Sequence, residues 1–86
     1  MAELIKATGE RSEIHPERGR KFKLEELQRY VGGYIERVQV EIDKKRLDMI
    51  VDEEGRLKNK PFNEDASEIA NRVIVGDVVI AKKGEW

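Results

Sequence analysis

Hydrophobic positions along this chain follow two different rhythms. Leu24, Leu27 and Val31 recur at intervals of three and four, with Glu25, Glu26, Gln28 and Arg29 between them. That spacing predicts an amphipathic helix of about two turns. The pair Gly32-Gly33 ends it, because glycine takes the left-handed conformation that closes a helix without a Cβ clash. Phe22, just ahead of the helix, is placed to pack back on its first turn. From Tyr34 to Ile42 the period changes to two: Val38, Val40 and Ile42 alternate with Arg37, Gln39 and Glu41, as in a strand with one face on a core. After a polar turn, Asp43-Lys44-Lys45-Arg46, the residues Leu47, Met49 and Val51 alternate with Asp48 and Asp52, so the two strands are expected to form an antiparallel hairpin. Ile50 falls outside this alternation and is expected to be covered from the other side.

The flanking segments complete the pattern. Leu4 to Ala7 reads as a first strand closed by Thr8-Gly9-Glu10, and Ser12 to His15 as a short second strand stopped by Pro16. Asp52-Glu53-Glu54-Gly55 is a turn and Arg56-Leu57-Lys58 a short extended piece. Asn63 is a suitable N-cap for a second helix, with Glu64 and Asp65 at its positive end and Ala66, Ile69, Ala70 and Val73 as its apolar stripe. Val75 to Ala81 is apolar on both faces around Val78, Val79 and Ile80, which predicts a central strand, with Gly76-Asp77 marking a bulge at its start. The order β(β)αββαβ gives an α+β fold over residues 1–86: one small domain, a mostly antiparallel sheet with two short helices packed on one face.

Size and composition limit what such a domain can do. Eighty-six residues of which 38% are hydrophobic and 41% charged allow one thin core, so help from a second copy, a homo-oligomer, is one expectation. The chain has no cysteine, which excludes disulfides and thiolate metal sites and favours an intracellular compartment. The stretch Met1-Ala2-Glu3-Leu4-Ile5-Lys6 carries an acid and a base without a long apolar run, so neither a signal peptide nor a membrane span is expected. A formal net charge of −1 supplies no general field for a polyanion, and nucleic acid is not an expected partner.

Three strings, Leu24-Glu25-Glu26-Leu27-Gln28-Arg29-Tyr30-Val31-Gly32-Gly33-Tyr34-Ile35-Glu36, Val51-Asp52-Glu53-Glu54-Gly55-Arg56-Leu57 and Ile74-Val75-Gly76-Asp77-Val78-Val79-Ile80, occur in this order. Together they resemble a family of small bacterial and phage proteins known as domain of unknown function 3846, over Leu24 to Ala81. The resemblance implies an accessory protein of phages or mobile elements acting in the cytoplasm of a bacterial host, with no activity established for the family. Accessory proteins of this size often counter host defence by occupying a partner or sequestering a nucleotide signal; for this chain that is analogy.

Directed chemistry is sparse. His15 is the only histidine, and Thr8, Ser12 and Ser67 are the only aliphatic hydroxyls, so a nucleophile and base would have to be built around one loop imidazole, and no enzyme is expected. Asp52, Glu54 and Gly55 echo a calcium loop, but in that register Ile50 and Pro61 would hold the first and last ligand places without a side-chain oxygen; no metal or other cofactor is expected. The basic loop offers Arg18, Arg20, Lys21 and Lys23 just before a helix N-terminus, where an anion is favoured; the plainer reading is a solvated loop balancing Glu10, Glu13 and Glu17. Gly32 and Gly33 would let a ligand approach the backbone, with Tyr30 and Tyr34 stacking on a base; the plainer reading is a helix cap and a core tyrosine. Trp86 is expected to fold back over the sheet, dock into another copy or hang free.

The function expected from these residues is a non-enzymatic binding module. Its ligand would be a small phosphorylated, nucleotide-like molecule held by the loop cations and the two tyrosines. The alternative is a protein–protein inhibitor or adaptor whose acidic turn, Asp52 to Glu54, engages a basic host protein.

Overall fold

A computed structural model describes residues 2–86. Its elements are strands β1 (Ala2–Ile5) and β2 (Arg11–Ile14), helix α1 (Leu24–Val31), strands β3 (Ile35–Ile42) and β4 (Lys45–Asp52), helix α2 (Glu64–Ala70) and strand β5 (Val78–Ala81). The five strands form one antiparallel sheet in the order β2-β1-β5-β4-β3. The α+β class, the element order and the central place of the last strand are those the periodicities predict.

The helices, however, pack on opposite faces of the sheet, not on one. Side chains alternate along a strand, and β5 is buried at every position. Val79 and Ala81 join Ile50 under Leu27 and Val31 of α1, whereas Val78 and Ile80 join Val38, Val40, Met49 and Val51 under Ala66, Ile69 and Ala70 of α2. Ile50 is thus a member of a second apolar face, and a sheet with two such faces needs a cover on each side. Phe22 reaches the α1 layer with Leu27 and meets Tyr30 edge to face, with ring centroids 6.4 Å apart.

Local differences from the predicted boundaries have local causes. The β3–β4 pairing is continuous from Ile35 opposite Asp52 to Ile42 opposite Lys45, so Lys45 and Arg46 belong to a strand and the turn is only Asp43-Lys44. Both turn residues have positive φ, 51° and 65°, the backbone that matches the twist of a two-residue hairpin. Arg56-Leu57-Lys58 is not extended: Lys58 N–H donates to Glu54 O, Asn59 to Arg56 O and Lys60 to Gly55 O, a chain of turns. Trp86 folds back on the α1 face, and its Nε1 donates to Asp48 Oδ2 at 3.0 Å. No helix is long and apolar enough to cross a membrane among the described residues.

Asn63 does more than cap. Its Oδ1 accepts from Ala66 N–H at 3.0 Å, while its Nδ2 donates to Ile5 O at 3.0 Å and Gly76 O at 2.8 Å. The side chain is fully buried and ties the start of α2 to the ends of β1 and β5. Aspartate caps a helix as well as asparagine does, but it cannot donate to two carbonyls. Asn63→Asp is therefore expected to destabilise the fold by about 2 kcal/mol or more at neutral pH, measured by urea unfolding, although a cap-only role would leave stability nearly unchanged.

Candidate functional site

The most heavily interlocked polar group lies where α1 ends. Gly32 takes the left-handed conformation, φ 81°, and its N–H donates to Gln28 O. The last carbonyls of a helix lack partners within the helix and carry its negative end. Here Lys60 Nζ donates to Val31 O at 2.6 Å and Lys58 Nζ to Gly32 O at 3.1 Å. Both lysines also reach Asp52 Oδ2, at 2.6 and 2.9 Å. Asp52 ends β4 on its α1-facing side, its side chain is 0% exposed, and its Oδ1 accepts from Glu54 N–H at 2.9 Å. A Cβ on Gly33 would fall 2.5 Å from Lys58 Nζ and 2.8 Å from Asp52 Oδ1, so the second glycine is required by close approach of the carboxylate.

Burial pushes the Asp52 carboxyl up, but hydrogen bonds from Lys60, Lys58 and the Glu54 N–H outweigh it and hold the group below the usual carboxylate range. This clamp fixes the loop 53–60 against the helix end. Gly55 sits buried in that loop, beside Val75. On its outer side the clamp presents Leu57, 82% exposed, and neighbouring Tyr34, 66% exposed.

The residues singled out in the sequence are dispersed around this junction. Tyr34 and Gly33 line a shallow depression of about 220 Å³ with Gln28, Glu54 and Lys58. Tyr30 and Gly32 line a different one with Lys60, Pro61 and Asp77, so the two tyrosines do not flank a common space. Tyr30 also packs into the α1 layer. Arg18 and Lys23 line a third depression with Arg29, and there Glu17, Glu25 and Glu26 supply as many acids as there are bases. Arg29 is ion-paired with Glu17. The α1 N-terminus already holds a carboxylate, since buried Glu26 accepts from Lys23 N–H at 3.3 Å and Glu17 N–H at 3.1 Å. Arg20 and Lys21 are exposed and do not line that depression. His15 is exposed beside Glu13, 3.3 Å from its carboxylate. Among the described residues no three His, Asp or Glu side chains are grouped to hold a metal ion.

Sequence reading missed Lys58, Lys60 and Leu57. Two signals were present: a lone leucine within the charged run Glu53 to Lys60, and two lysines at even spacing after an aspartate that ends a strand.

The family model for Domain of unknown function (DUF3846) matches residues 4–85. The match reaches well ahead of Leu24 and takes in the end of β1, all of β2 and the basic loop. No curated protein and no solved structure matches the chain.

Because Asp52 is held below its ordinary value, its contribution to stability is present above the unfolded-state carboxylate pKa and is lost as pH falls through the lower folded-state value. Relative to Asp52→Asn, the wild-type chain is expected to show its full advantage above roughly pH 5 and to lose it progressively below roughly pH 4. Urea unfolding across that range measures the gap. A gap that is constant with pH would show that the carboxylate is not the group held by the lysines.

Proposed function

Since the chain belongs to the DUF3846 family, whose description carries no activity, we propose from its geometry that it is a non-catalytic protein-binding module whose contact surface is the clamped loop 53–59 together with Tyr34. The observation that supports this most directly is Leu57, a large apolar side chain 82% exposed on a loop whose backbone is tied by its own turns and by Asp52, Lys58 and Lys60. A leucine held outward in this way loses little further freedom on binding, which is the usual condition for an interface anchor. Tyr34 adds an amphipathic ring where it lines a depression with Glu54 and Lys58, and Glu53 and Glu54, both exposed, supply two carboxylates on the rim for contact with a basic partner. Asp52 itself is buried and neutralised, so the acidic turn acts through the two glutamates.

The partner in this reading is a host protein met in a bacterial cytoplasm, a setting that the cysteine-free composition suits. A phosphorylated ligand is the less favoured reading, because six of its eight candidate residues are divided among three separate depressions, Arg20 and Lys21 line none of these, and Arg18 and Lys23 share theirs with three glutamates.

A photoreactive amino acid at position 57 is expected to cross-link one discrete protein in cells of the natural host. Tyr34→Asp should weaken affinity for that protein at least about tenfold, while stability stays within about 0.5 kcal/mol because the position is largely exposed. No discrete adduct, together with stabilisation by a nucleotide that Arg20→Glu and Lys21→Glu abolish, would replace this reading with the ligand reading.

A further inference from the structure

The sheet has two free edges, β2 and β3. β2 is four residues long, whereas β3 has eight, contains no proline, and pairs with β4 without a bulge along its whole length. A long, regular edge is a template for another strand unless something blocks it. In a two-residue hairpin the residues flanking the turn, Ile42 and Lys45, exchange hydrogen bonds, and the exchange recurs at every second pair. Ile35, Arg37, Gln39 and Glu41 therefore turn their N–H and C=O groups outward. Arg37, Gln39 and Glu41 are exposed, and neither Arg37 nor Glu41 has an ion pair among the described residues.

The order of side chains along this edge is self-complementary. We propose that β3 pairs antiparallel with β3 of a second copy about a two-fold axis at Gln39, joining two five-stranded sheets into one. In that register Arg37 lies opposite Glu41 of the second copy, Glu41 opposite its Arg37, and Gln39 opposite its Gln39; on the α2 side Val38 lies opposite Val40 and Val40 opposite Val38. Register parity is satisfied, because each outward-facing odd-numbered residue meets another. The three central pairs supply about six main-chain hydrogen bonds, and an isologous contact of this kind closes at two copies. A shift of the axis to Val38 would set Arg37 against Gln39 and Ile35 against Glu41, losing both charge pairs, so the charges select the register.

The pairing is independent of the loop reading, but it bears on it. Tyr34 lies five positions from the axis, so two copies would present their loop surfaces at opposite ends of the paired strands, about 34 Å apart along them. A partner with repeated sites would then be engaged twice.

Charge exchange tests both the edge and the register. By sedimentation velocity the wild-type chain is expected to be a concentration-dependent dimer. Arg37→Glu alone and Glu41→Arg alone should each weaken dimerisation at least about tenfold, because each sets two like-charged pairs across the axis. The double exchange should restore the dimer, and an equimolar mixture of the two single variants should form a heterodimer, since both of its cross-axis pairs are again opposite in sign. Circular dichroism confirms that each variant keeps its fold, as expected for exposed side chains. A wild-type chain that remains monomeric at millimolar concentration overturns the proposal, as does a dimer unaffected by either single exchange or not restored by the double one.

Discussion

The shape of the domain where α1 ends depends on one buried carboxylate. Asp52 stands at the last position of β4, beneath the end of α1, and holds two lysine ammonium groups that in turn hold the helix's final carbonyls. The arrangement solves three problems together. A helix end needs donors for its unpaired carbonyls, a buried charge needs partners, and a charged eight-residue loop needs a reason to keep one conformation. Lysine serves here because its long stem lets the charge reach inward from a loop that otherwise lies at the surface. The net stabilisation from such a cluster is modest, since desolvation offsets much of the attraction. Its larger effect is on specificity: any other loop path would leave Asp52 uncompensated.

The same logic recurs along β4. Asp48, Ile50 and Asp52 alternate onto the α1 side, and each meets a different partner: Trp86 for Asp48, the α1 core for Ile50, the lysine pair for Asp52. Strand alternation alone would have put the two acids on a wet face. They are instead both buried, flanking an apolar residue, and each is satisfied from outside the sheet. Trp86 and the loop lysines therefore satisfy the two acids that flank Ile50 on the α1 face, which helps a chain with few hydrophobic residues to cover a second face of its sheet.

Most of the fold was legible because its signals are local. The period of three and four in Leu24, Leu27 and Val31, the period of two in Val38, Val40 and Ile42, and the Asn63 cap each operate within a few residues, and each element forms where its pattern lies. Helix placement was not legible in the same way. It depends on which face of β5 each helix chooses, and a strand apolar on both sides carries that information only in combination with Ile50. The candidate site was less legible still. The eight ligand candidates rest on residue type and on their place at the two ends of α1, and types such as Arg, Tyr and Gly serve there equally well to pair with nearby acids, to pack or to cap. What brings Asp52, Lys58, Lys60 and the α1 carbonyls together is tertiary: Lys58 and Lys60 lie more than twenty residues from the carbonyls they bind, a distance over which sequence spacing has no geometric meaning. Leu57 is the exception, since a lone apolar residue amid charges is visible in the sequence, although the reading of Arg56-Leu57-Lys58 as a short extended piece gives it no role.

Covering both faces of the sheet also decides where this domain can meet another molecule. Had both helices lain on one side, the opposite face would have been an open sheet surface, and recognition could have spread across it. With α1 and α2 on opposite sides, the apolar parts of both faces are used up in folding, and what remains is the perimeter: strand edges, the loops at the ends of strands, and the polar strip Arg37, Gln39 and Glu41. On such a perimeter two kinds of recognition are physically open. An edge strand offers its backbone and reads a partner through alternate side chains, and a rigid loop offers a few anchored side chains. The chain has one well-formed example of each, β3 and the clamped loop, joined through Tyr34, which ends the loop surface on one side and precedes β3 on the other. A change that displaced Asp52 would disturb both, because Asp52 is also the β4 residue paired with Ile35 at the start of that edge.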